Sequence, residues 1–157
     1  MPADLLPEVL LFADGCSLGN PGPGGIGVIL KSGNKSKKIS KGYTQATNNQ
    51  MELQAIITGL EALKTKCKVK VYTDSKYVAN AFNQGWLEKW QRNGWKTASK
   101  KDVKNQELWQ KLLELTSRHE VEFSWIKGHN NHLENELCDQ LAKEAARLKK
   151  TQPLSPK

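Results

Sequence analysis

The order of apolar runs and turn signals constrains this chain more than any single residue does. Val9–Ser17, Ile26–Lys31 and Lys37–Thr44 read as three strands, separated by the dense turn signal Asn20–Gly25 and by Ser32-Gly33-Asn34-Lys35. Leu53, Ile56, Ile57, Leu60 and Leu63 then recur at helical spacing, with Asn49 as the N-cap and Glu52 three residues on. Lys68–Thr73 reads as a fourth strand, and Asp74-Ser75 opens a short helix that ends near Asn83. Gln84–Asn105 reads as irregular or broken helix, Gln106–Ser117 as helix and Val121–Ile126 as a fifth strand. Glu134–Leu148 closes the pattern as a helix with Leu137, Leu141, Ala145 and Leu148 turned inward. Three hairpin-linked strands followed by strands alternating with helices imply an α/β fold, a mixed sheet with helices on its faces. At 157 residues a single domain is expected, spanning residues 8–148, with loose ends at 1–7 and 149–157.

Four acids stand out against that pattern. Asp14 closes the apolar run Val9-Leu10-Leu11-Phe12-Ala13, and Asp74 closes Val69-Lys70-Val71-Tyr72-Thr73. Glu52 and Asp139 lie on helical patterns at the edge of the apolar stripe. A buried carboxylate is costly unless it is paired, hydrogen-bonded or holding a metal. Each has a structural reading: Glu52 completing a capping box, Asp74 capping the helix after it, Asp139 facing solvent. Asp14, at the end of the most apolar strand, is the hardest to explain that way. If the first and fourth strands are neighbours, Asp14 and Asp74 lie side by side and Glu52 can face them. Converging carboxylates suit hard divalent cations, and two such ions about 3.5–4 Å apart can clamp an in-line displacement at phosphorus. No Cys/His cluster points to zinc. His129, in the polar loop Lys127–His132, suits proton transfer or product release, or is a surface histidine without a role.

The chain carries a net charge of +8, which favours a polyanionic partner, nucleic acid foremost. Half of that excess falls between Trp86 and Lys104, where Lys89, Arg92, Lys96, Lys100, Lys101 and Lys104 face only Glu88 and Asp102. Trp86, Trp90 and Trp95 lie in the same stretch. Aromatics among lysines suit a surface that follows a nucleic-acid backbone, or a small satellite core with a solvated rim. We expect both, with some rings packed and the lysines meeting phosphate.

These motifs together resemble the type 1 ribonuclease H family, and within it the stand-alone bacterial ribonucleases HI. The resemblance rests on Asp14–Gly25, Thr47–Leu53, Tyr72–Ser75, Gly94–Ala98, Val103–Asn105, Trp125–His129 and Glu134–Ala142, and runs from Val9 to Ala146. It implies a five-stranded mixed sheet in the order 3-2-1-4-5 with helices on both faces. It implies that Asp14, Glu52, Asp74 and Asp139 are catalytic and hold two Mg²⁺ ions, with Mn²⁺ as a substitute, and that His129 assists. The implied reaction is endonucleolytic hydrolysis of the RNA strand of an RNA–DNA hybrid, leaving 3′-hydroxyl and 5′-phosphate ends. The implied hybrid contacts are Gly15, Cys16, Asn20, Asn48, Asn49 and Gln50 in the minor groove, and Thr47 and Asn105 at a DNA-strand phosphate. Trp86, Trp90, Trp95, Lys100, Lys101 and Lys104 match the family's basic protrusion. This chain departs from many relatives in having Gln45 and Gln50 where they carry arginine, which weakens the expected phosphate affinity on that side.

Two readings compete with this one: the same fold acting on DNA, and a hybrid-binding module whose acids are structural. The asparagines suited to a 2′-hydroxyl argue against the first, and the presence of all four carboxylates against the second. No apolar run is long enough for a transmembrane helix, and the N-terminus does not resemble a signal peptide. A cytoplasmic protein without a membrane partner is therefore expected, and the resemblance, with no evident coiled coil or extra apolar face, implies a monomer. Cys16, Cys67 and Cys138 have no ligand or redox spacing and read as reduced thiols.

Overall fold

A strand that is apolar on both pleat faces has to be covered on both, and Leu11, Phe12 and Ala13 are all buried. The computed structural model describes residues 6–97, 99–126 and 133–151. It places that run in β1 (Glu8–Ser17), at the middle of a five-stranded sheet ordered β3-β2-β1-β4-β5. β2 (Gly22–Ser32) and β3 (Lys35–Ala46) add antiparallel on one side of β1. β4 (Lys68–Thr73) and β5 (Glu120–Trp125) add parallel on the other. The order inferred from the sequence resemblance is therefore the order observed.

α1 (Asn48–Glu61) covers one face, where Gly59 meets the side chains of Leu11 and Val28. α2 (Lys76–Asn83) and α4 (Gln106–Ser117) extend the same core through Val78, Ala81, Trp109 and Leu112. α3 (Trp86–Arg92) is the helical piece of the stretch expected to be broken. α5 (Leu133–Thr151) lies on the opposite face, over Phe12 and Ile29, and runs past the expected loose end at residue 149.

Two sequence expectations need correction, and one cause explains both. The glycines of Asn20–Gly25 do not all form a turn: β2 begins at Gly22, and Gly24 and Gly25 pair with β1. Of the expected inward residues of α5, Ala145 is buried and Leu137 and Leu141 are half-buried, but Leu148 points outward. Cys138, Ala142, Ala145 and Ala146 are buried, whereas Leu148 is 62% exposed. Small residues meet because helix and sheet approach closely. A Cβ on Gly25 would stand 2.0 Å from the Ala142 carbonyl oxygen, and one on Gly27 would stand 2.2 Å from that of Cys138. The fully buried side chains of α5 are therefore small ones, Cys138, Ala142, Ala145 and Ala146, set against glycines of β2.

No described helix is long and apolar enough to cross a membrane. Because the nearest atom facing Gly27 is the backbone oxygen of Cys138, Gly27→Ala must push α5 off the sheet. A loss of about 2–4 kcal/mol is expected in urea denaturation, at the upper end of what overpacking costs. An unchanged midpoint would show that α5 can shift freely.

Candidate active site

Parallel pairing of β1 with β4 sets the site. Phe12 pairs with Tyr72, so two residues further on Asp14 and Asp74 come level, just past the last β1–β4 pair. The carboxyl ends of adjacent parallel strands are where open α/β sheets place their ligands. Glu52 arrives from the first turns of α1, and one carboxylate oxygen from each of Asp14, Glu52 and Asp74 lies within 4.8 Å of the others. Gly15 makes that approach possible, because a Cβ there would stand 2.3 Å from the Met51 carbonyl. Its N–H donates to Asp14 Oδ1 at 2.9 Å and, more weakly, to Glu52 Oε1 at 3.3 Å.

The capping alternatives for Glu52 and Asp74 fall away. α1 starts earlier than expected: its N-cap is Thr47, not Asn49. Thr47 Oγ accepts from Gln50 N–H at 3.2 Å, and Gln50 Oε1 accepts from Thr47 N–H at 2.9 Å. The capping box is thus complete without Glu52. Ser75, not Asp74, caps α2, its Oγ accepting from Val78 N–H at 3.3 Å. The Asp74 carbonyl is held by the Trp125 indole N–H at 3.1 Å.

Asp139 joins from α5 and stands outside the tight group of three. Its Oδ2 is 2.9 Å from Lys143 Nζ, one helical turn on. His129 lies outside the described residues.

Crowding of like charges is visible in the protonation equilibria. Asp14, only 5% exposed, is pushed well above the usual carboxylate range, first by burial and then by the charges of Glu52 and Asp74. Glu52 is raised as well, again by burial first and Asp74 second, against hydrogen bonding that pulls it down. Burial also raises the Cys16 thiol, helped by Asp14 and Asp139, so Cys16 is not an activated nucleophile. A divalent cation would relieve this repulsion. Three converging carboxylates with that much unrelieved charge fit a hard-cation site.

The expected hybrid contacts gather beside the acids. Asn20, Thr47, Asn48, Asn49, Lys104 and Asn105 line one open cavity of about 610 Å³. Asn48 Oδ1 accepts from the N–H and Oγ of Ser17 at 2.9 and 3.1 Å, and its own N–H donates to Asn20 Oδ1 at 3.1 Å. Gln50 sits in a neighbouring cavity with Asn105 and Gln106. Glutamine at residue 50 therefore has a local reason. The capping box needs an acceptor, and arginine has none.

Asn105 holds a positive φ of 62° and reaches Tyr77 Oη at 3.5 Å, an oxygen that also accepts from the Trp109 indole at 2.9 Å. The tryptophans are mostly packing. Trp86, Trp90 and Trp95 form a row with centroids 6.3 Å apart, and Trp90 continues it to buried Trp109 at 5.5 Å. Lys100, Lys101 and Lys104 stay exposed.

Ser17, Tyr77 and Lys143 were missed from the sequence. Lys143 alone had a readable signal, four residues after Asp139 on a helix.

A family model described as RNase H matches residues 7–147. The chain is 52% identical over 139 residues to the ribonuclease H of Syntrophus aciditrophicus, covering 88% of this chain and 80% of that one. It is 51% identical to the ribonuclease HI of Vibrio parahaemolyticus, covering 88% and 90%. Among solved structures it is similar to LC9-RNase H1, a type 1 RNase H with the type 2 active-site motif. The TM-score is 0.82 at 31% identity, over 92% of this chain and 74% of that one.

Raised carboxylate pKa values make a stability prediction. A group that holds its proton more tightly when folded stabilises the fold below its unfolded pKa, near 4, and loses that contribution as pH rises. Without divalent cations the protein should therefore become less stable between about pH 4 and neutrality. Asp14→Asn removes the cost of keeping a buried carboxyl protonated and should be about 1–3 kcal/mol more stable at pH 7 in EDTA. The gain should shrink towards pH 4 and on adding Mg²⁺. Thermal melts across pH would check this, and a less stable Asp14→Asn at pH 7 would mean the carboxylate is structurally required.

Proposed function

The chain belongs to the RNase H family, and from that premise we propose an endonuclease that hydrolyses the RNA strand of RNA–DNA hybrids. The observation carrying this reading is the convergence of Asp14, Glu52 and Asp74 just past the β1–β4 pairing. Together with Asp139 they are the residues to hold a pair of divalent cations, Mg²⁺ foremost and Mn²⁺ as a substitute. Bound there, such ions supply the positive charge that the attacking and leaving oxygens need at phosphorus.

The chain's own groups do the rest. The N–H of Gly15 already points at Asp14 and Glu52, which holds both carboxylates towards the same place. Asn48, with its Oδ1 committed to Ser17, keeps its amide N–H groups for an acceptor such as a 2′-hydroxyl. Gly15, Cys16, Asn20, Asn49 and Gln50 line the same approach. A hydroxyl donates and accepts, as asparagine and glutamine do, so these partners select RNA over DNA.

Thr47 and Asn105 border the cavity that suits a DNA-strand phosphate, with Lys104 at its rim. Lys100 and Lys101 extend the positive surface, and the tryptophans behind them hold that segment in place. His129, between β5 and α5, is assigned an assisting role in proton transfer or product release. The cuts leave 3′-hydroxyl and 5′-phosphate ends, and the protein acts as a monomer.

Matched RNA–DNA hybrid, RNA duplex and DNA duplex, each with Mg²⁺ and with EDTA, test the reading. Only the RNA of the hybrid should be cut, and only with the metal. Cleavage of DNA duplex, or activity in EDTA, would overturn it. Asp14→Asn should abolish turnover while hybrid binding persists.

Replacing Lys100, Lys101 and Lys104 with glutamine should weaken binding and reduce the slope of log affinity against log salt by roughly one per lost phosphate contact. An unchanged slope would remove that segment from the interface.

A further inference from the structure

Of the four acids, Asp139 carries an ion pair within its own helix, α5. Its carboxylate lies 2.9 Å from Lys143 Nζ, whereas the other three crowd within 4.8 Å of one another. We propose that Lys143 is a positioning residue that stands in for a divalent cation at Asp139 and competes with it directly for that carboxylate. The inference rests on the reading that these acids hold cations.

The geometry supports exchange more than permanent pairing. Asp139 and Lys143 are spaced i,i+4 on α5, so the pair forms without distorting the helix. The Lys143 side chain is 47% exposed and that of Asp139 only 22%. The ammonium can therefore swing into solvent while the carboxylate stays directed at the site. An exposed ion pair of this kind is weak, so the lysine tempers cation binding without blocking it. Before a cation arrives, the ammonium limits the repulsion among the four acids. When one binds, the same oxygen has to change partner.

Mn²⁺ binding to the full chain without nucleic acid, followed by electron paramagnetic resonance of the free ion, reads this without catalysis. Lys143→Met should bind Mn²⁺ about fivefold more tightly than the parent, the scale expected from removing one exposed charge beside a divalent ion. Lys143→Arg keeps the pair and should stay within about twofold. In an Asp139→Asn background, Lys143→Met should have a clearly smaller effect, because the shared oxygen is gone. An unchanged or weaker affinity in Lys143→Met would overturn the proposal while leaving the cation site intact. An equal gain in both backgrounds would mean a diffuse charge effect, and would overturn direct competition. If parent and Asp14→Asn bind Mn²⁺ alike, the site reading itself fails and this proposal with it.

Discussion

Parallel pairing of β1 with β4 is the constraint on which the rest depends. It brings two carboxylates to one level just past the last β1–β4 pair, where burial and mutual repulsion raise the cost of their charge. The apolar packing of Leu11, Val28, Val69 and Val71 has to outweigh that repulsion. A stable core thus holds an unstable cluster. Unfavourable charge of this kind is commonly stored where chemistry is done.

The helices are arranged so that capping does not consume the acids. Thr47 and Gln50 close the capping box of α1 between them, which leaves Glu52 to point at Asp14. Ser75 caps α2 in the same way, next to Asp74. On the far face, glycines in β2 let α5 settle close enough to present Asp139 from a fourth direction. Backbone donors are met by neutral side chains, and the charged ones converge. Gln50 illustrates the trade: its acceptor oxygen serves the cap, a task no arginine could perform.

The segment from Trp86 to Asn105 shows two physical tasks on one stretch. The indoles run in tilted contact from Trp86 through Trp90 to Trp109, tying a lysine-rich surface to the core. The lysines remain in solvent, where their charge acts at long range. Rigidity comes from the aromatics and the field from the amines, so losing one need not remove the other.

Much was legible in the sequence because periodicity and composition are local. All five strands, α1, α2, α4 and α5 lie near their expected places, and the acids were singled out by standing at the ends of apolar runs. The ordered motifs extended this to sheet order. What the sequence left open were choices between partners that are distant in the chain or equivalent in type. Asn49 and Thr47 are both good caps, and only the backbone of α1 selects Thr47. Leu148 continues the spacing of Leu137 and Leu141 on α5 yet is 62% exposed, while small Ala142 and Ala146 are buried close to the sheet. Whether Asp14, Glu52 and Asp74 share a space of a few ångströms depends on the packing of β1, β4 and α1 together. Residue types determined which groups this chain could use. Tertiary packing decided which were spent on holding the fold and which were left facing one another, because hydrogen bonds and charges act only over distances that folding creates.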